Sequence, residues 1–87
     1  MKGLKKMANL YLLTQNQNRG YNTYDRLVVC ADTPELAALV LPYSTMEWGN
    51  RYSSWCSSPR HVTVTLLGTA AMNIEKDSLV LSSFNAG

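Results

Sequence analysis

The sequence is short of the residues that most often carry chemistry. It has a single histidine, His61, and only two cysteines, Cys30 and Cys56, among its 87 residues. A structural zinc site needs four closely spaced nitrogen or sulfur ligands, and this set does not supply them, so no metal site is expected. The six acidic residues are scattered, and none pairs at a spacing suited to acid–base catalysis or to a calcium loop. Gly20, Gly49 and Gly68 stand alone, so there is no glycine-rich loop to cradle a phosphate. Long apolar runs are missing too: the longest, Leu36 to Leu41, is six residues and ends at Pro42, against the ~18–20 residues of a membrane helix. A secretory leader is not expected either, because Leu10 to Leu13 runs directly into Thr14-Gln15-Asn16.

Charge is sparse, at 16% of residues and a formal net of +2. Three of the eight cations, Lys2, Lys5 and Lys6, precede a second methionine, Met7. Without residues 1–6 the chain has five basic side chains against six acidic ones, a net of −1. The basicity thus belongs to the N-terminal segment, and nucleic-acid binding by the body is disfavoured. Two readings of that segment stand open: a basic arm that touches phosphates, or a solvated start ahead of an initiator at Met7. The expected organisation is a flexible segment over residues 1–8 and a single domain over residues 9–87.

What is present is an apolar fraction of 46% with a readable order of elements. Residues 9–15, Asn-Leu-Tyr-Leu-Leu-Thr-Gln, suit a strand. A polar turn follows, in which Asn18 or Gly20 can take positive φ. Tyr24 to Ala31 reads as a second strand, and its run Leu27-Val28-Val29 is apolar on both faces, which predicts a central position. Thr33-Pro34-Glu35 is a cap, a first-turn proline and a dipole-matched acid. It predicts a helix of about two turns that ends before Pro42, with Leu36, Leu39 and Val40 as the buried stripe. Ser58-Pro59 repeats the signal and predicts one helical turn to His61. Val62, Val64 and Leu66 then alternate with Thr63 and Thr65 in a third strand, and Ser78 to Ser83 forms a fourth. The expected fold is α+β in the order β-β-α-β-β, an antiparallel sheet with one short helix and a long aromatic loop over residues 43–58.

Candidate site residues come from two polar-aromatic stretches. Tyr21, Tyr24 and Arg26 lie in the first, and Trp48, Arg51, Tyr52 and Trp55 in the second. Tyr, Trp and Arg dominate interface hot spots because each brings a large contact area with a polar handle, and all seven are expected partner-binding residues. The competing reading has the tryptophans capping the core and the tyrosines packing across the hairpin. A Cys56–His61 dyad is conceivable, but nothing supplies an orienting group, so no catalytic residue and no cofactor are expected. Cys30 and Cys56 are read as reduced thiols, although sequence does not reveal whether two cysteines can meet.

The strings Tyr11-Leu12-Leu13-Thr14-Gln15, Gly20-Tyr21-Asn22-Thr23-Tyr24-Asp25, Val28-Val29-Cys30-Ala31, Ser58-Pro59-x-x-Val62-x-Val64 and Ser83-Phe84-Asn85-Ala86-Gly87, with Trp48 and Trp55 between, carry a resemblance. Together they resemble a group of small phage- and prophage-encoded proteins, over nearly the whole chain from residue 9. The chain departs from that pattern at Asn22, where the group has Asp, and at Cys30. The resemblance implies a phage origin and a cytoplasmic site of action in an infected bacterium; it transfers no catalytic residue. The expected function is a non-enzymatic phage accessory protein that binds and blocks a bacterial host protein or complex, such as a CRISPR-type defence complex. The alternative is a protein that sequesters a nucleotide or other small molecule. Homodimer formation through an exposed edge strand is a further expectation.

Overall fold

The computed structural model describes residues 8–17, 20, 22–42, 55–71 and 73–85. They form a four-stranded antiparallel sheet and one short helix, an α+β domain. The strands are β1 (Asn9–Gln15), β2 (Thr23–Ala31), β3 (Val62–Thr69) and β4 (Ser78–Asn85), in sheet order β3-β1-β2-β4. The β1–β2 hairpin is therefore central, as the apolar run in β2 predicts. Its register pairs Tyr11 with Val29, Leu12 with Val28 and Leu13 with Leu27.

Alternation along the central strands divides the sheet into two faces. Tyr11, Leu13, Leu27, Val29 and Ala31 point to one side and pack with Ala37, Leu41, Trp55 and Cys56 in the main core. Leu10, Leu12, Val28 and Cys30 occupy the other side. There Cys30 joins Ala8 and Ala70, with Leu10 and Ile74 packed against them, in a small cluster at one end. The connection between β3 and β4 closes that end. Ala70 N donates to Ala8 O at 2.8 Å and Asp77 N to Cys30 O at 2.7 Å. Ala8, expected in the flexible segment, is buried and hydrogen-bonded. Residues 1–7, the rest of the expected flexible segment, lie outside the described residues.

The helix α1 (Pro34–Ala37) is capped as the sequence predicts, with Thr33 Oγ1 accepting from Leu36 N at 3.2 Å. It is shorter than expected and buries a different stripe. Two α-type bonds, Ala37 N to Thr33 O and Ala38 N to Pro34 O, give way to Leu39 N to Leu36 O and Val40 N to Ala37 O. This tightening to 3-10 spacing turns the side chains by about 120° per residue in place of about 100°. Leu36 and Leu39 thus stay on one side, but it is the outer side: they are 40% and 46% exposed, while Ala37 and Leu41 are buried and Val40 packs against the same core. The proline at 42 disfavours helical geometry at Leu41 and so sets this end. A 3-10 turn over Pro59–His61, capped by Ser58, leads into β3.

Bulges interrupt the ladders at three places among the described residues. β1 and β3 shift register between Leu10 and Tyr11, leaving Leu67 as the extra residue beside Gly68, whose φ is 157°. β2 and β4 shift twice, with Val80 as the extra residue on β4 and Asp25 on β2.

Candidate functional site

The bulge at Asp25 decides how the hairpin end presents its side chains. Residues two apart on a strand normally share a face, so Tyr24 and Arg26 would lie together. Here Tyr24 pairs with Phe84 and Arg26 with the adjacent Ser83, so the two residues emerge on opposite faces. Tyr24 packs against the main core, and its ring meets that of Phe84 at 4.8 Å between centroids and 59° between planes. That tilted geometry suits two ring quadrupoles. Phe84 remains 46% exposed at the outer margin of β4. The helix side of the sheet therefore ends in an aromatic ledge.

Arg26 is exposed on the other face, between two hollows. One, of about 200 Å³, lies along Leu12, Val28 and Leu81. The other, of about 390 Å³, is lined by Thr14, Gln15, Asn16, Asp25, Arg26 and Thr63. Leu81 is 66% exposed, and Leu12 and Val28 are half-buried although each sits in a central strand. None of the three packs into either cluster. Strands with one wet face usually carry polar side chains there; this face mixes Leu12, Val28 and Leu81 with Thr14, Thr63, Thr65, Ser83 and Arg26.

Residues 55–58 are held to the hairpin by Gln17, whose Oε1 accepts from Ser57 N at 2.7 Å and Ser57 Oγ at 3.0 Å. Gln15, itself buried, donates from Nε2 to Tyr24 O at 3.3 Å. These bonds anchor Trp55 and Cys56 below the sheet. Trp55 is 1% exposed, which corrects the expectation that it is a surface contact: its indole fills the main core. Tyr21, Trp48, Arg51 and Tyr52 lie outside the described residues, as does most of the expected aromatic loop.

Both cysteines are free and buried, and they lie in different clusters on opposite faces of the sheet. Burial raises the Cys30 thiol pKa, the nearby Asp32 and Asp77 carboxylates raise it further, and Lys76 opposes them. Burial likewise raises Cys56, partly offset by backbone hydrogen bonding at Ser58 and at its own residue. Cys56 Sγ donates to Ser58 O at 3.4 Å, and no hydrogen bond joins it to the His61 ring. Among the described residues, no group of three His, Cys, Asp or Glu side chains could hold a metal ion, and no helix is long and apolar enough to cross a membrane.

Of the seven residues expected from sequence, then, Tyr24 is half-buried against the main core and Arg26 is exposed on the opposite face. Sequence reasoning missed Phe84, Leu81 and Leu12. Phe84 is the one phenylalanine in the chain and its exposure was not signalled by pattern. The doubled apolar pattern of β1 and β2 was the available signal for Leu12. Comparison of the chain with protein-family models, curated proteins and solved structures gives no match.

Proposed function

We propose that this is a non-enzymatic phage accessory protein that acts by binding a bacterial host protein and occluding it, with a CRISPR-type defence complex as one target. The observation that supports a binding role is the exposed Phe84 ring braced against Tyr24 at the sheet margin. An aromatic already braced by a neighbouring ring loses little freedom on docking, which is what makes such residues effective anchors. Tyr21, Trp48, Arg51 and Tyr52 are further proposed contacts on the strength of their residue types. The phage assignment rests on the sequence resemblance alone.

Affinity capture from infected host cells tests this reading. The wild-type chain is expected to recover one stoichiometric host protein, and Phe84→Ala to lose it while keeping its circular dichroism spectrum. Recovery of nothing stoichiometric, or undiminished recovery by Phe84→Ala, counts against it. The nucleotide reading has weaker support, because the polar hollow beside Arg26 has no aromatic ring among the described residues that line it and includes the Asp25 carboxylate. A flat thermal-shift screen against nucleotides is expected, since a ligand at 100 times its dissociation constant would add ~2.7 kcal/mol.

A further inference from the structure

We propose that Gln17 is a clasp on a locally opening plug. Its side-chain oxygen holds Ser57, and with it Trp55 and Cys56, against the hairpin, so the residues just after β1 govern how often this segment opens while the sheet stays folded. The inference goes beyond the host-binding reading and does not use the Phe84 contact.

The first ground is how the plug is built. Trp55 and Cys56 are each 1% exposed in the main core, yet they belong to no helix or strand. From Ser58 onward the chain is carried by the 3-10 turn and β3, with Ser58 O accepting from His61 N at 3.1 Å. The two buried residues lie just outside that regular structure. Opening free energies vary across a fold, and the units that open most readily are those tied by exposed hydrogen bonds. Ser57 is exposed, and its bonds to Gln17 are of that kind.

The second ground is the holder. Gln17 Oε1 accepts from Ser57 N at 2.7 Å and from Ser57 Oγ at 3.0 Å, so both bonds converge on one atom. Gln17 N donates to Gln15 Oε1 at 2.9 Å, and buried Gln15 donates from Nε2 to Tyr24 O at 3.3 Å. A polar chain thus runs from β2 through a buried side chain of β1 to Gln17, and from there to the plug. Gln17 is tied to the hairpin through its own backbone N–H, which reduces the freedom lost when its side chain meets Ser57.

The third ground is the contrast with the other thiol. Cys30 is also buried, but it sits in β2 between β1 and β4, with Leu10 and Ser78 as its register partners. Exposing it means breaking ladders on both sides. The two free thiols therefore report two different events, Cys56 the plug and Cys30 the sheet. Whatever draws Gln17 away from Ser57 loosens the plug, which couples the start of the hairpin turn to one side of the core.

Native-state labelling of the full chain with a disulfide reagent tests the proposal, with Cys30→Ala and Cys56→Ala assigning the two phases. Cys56 is expected to react faster than Cys30. Its rate should stay nearly flat in subdenaturing urea while that of Cys30 climbs, because a local opening exposes little surface. Gln17→Ala is expected to speed Cys56 about tenfold. Gln17→Glu keeps an acceptor at the same reach and should hold Cys56 at the wild-type rate or slower. Ile74→Ala, which loosens the cluster around Cys30, should speed Cys30 and leave Cys56 unchanged. A Cys56 rate that climbs with urea as steeply as that of Cys30, or that rises with Ile74→Ala, would show that the plug opens only with the whole fold and overturn the proposal. An unchanged Cys56 rate in Gln17→Ala, or a rate in Gln17→Glu as fast as in Gln17→Ala, would overturn the role of the Gln17 oxygen.

Discussion

Leu13 is fully buried between the hairpin and the main core, whereas Leu81, two strands away, is 66% exposed. The same side chain therefore has different worth at the two positions. Leu13→Ala is expected to destabilise the fold by about 2–5 kcal/mol through lost transfer energy and the cavity left behind. Leu81→Ala should stay within about 0.5 kcal/mol in the single chain. Urea unfolding of the two variants at low protein concentration checks the contrast. The thiols give a pH prediction at the same scale. Both folded-state pKa values are raised above the ordinary 9.0, so the folded chain holds its thiol protons more tightly than the unfolded chain. Their stabilising contribution is complete below the unfolded value and is lost as pH rises through the folded one. Urea midpoints are therefore expected to be insensitive to these groups at neutral pH and to fall above about pH 9. Replacing Cys30 and Cys56 by alanine should flatten that fall. Gly68 has φ 157° beside the Leu67 bulge. Nothing stands within 4 Å of the position an alanine methyl group would take there, so the cost of Gly68→Ala lies in the backbone. About 1 kcal/mol or more is expected, read as a lowered melting temperature.

Among elements, the helix shows how far local grammar reaches. Thr33, Pro34 and Glu35 announced its start, and Thr33→Ala is expected to cost about 0.5–2 kcal/mol through the lost cap. Its end and its buried face were not legible, because the 3-10 bonds after Ala38 and the burial of Ala37 leave no mark on the apolar pattern. Leu36 and Leu39 looked like core at 3.6-residue periodicity and are surface residues. The strands were more readable. Two-residue alternation in Val62 to Leu66 and the doubled apolar run in Leu27 to Val29 gave both their presence and the central place of β2. Bulges were invisible, since an extra residue leaves no mark on a short alternating segment. That matters for the site: the bulge at Asp25 alone sends Tyr24 and Arg26 to opposite faces. The exposed Lys76–Asp32 bridge, by contrast, is an ion pair of the kind worth little. Lys76→Ala should leave the melting temperature almost unmoved.

For the whole molecule, the central hairpin divides two kinds of surface. One face carries the helix, Trp55 and an aromatic ledge at Phe84; the other carries Arg26 between an apolar hollow along Leu12, Val28 and Leu81 and a polar one that includes Asp25. The contact proposed for host binding, Phe84 braced by Tyr24, belongs to the first. The residue types that attract attention in the sequence, tryptophan and arginine, divide in the same way, with Trp55 inside and Arg26 outside. Composition alone could not make that division, because an indole serves equally well as core filler or as anchor until its neighbours are known.

The claim on which this account rests is that Leu81 is exposed beside the hollow on the face opposite the helix. Thiol-labelling kinetics of a Leu81→Cys variant measure this directly, with buried Cys30 and Cys56 as internal slow references. The account predicts one fast-reacting thiol per chain. A Leu81→Cys thiol as slow as the two native ones would contradict it.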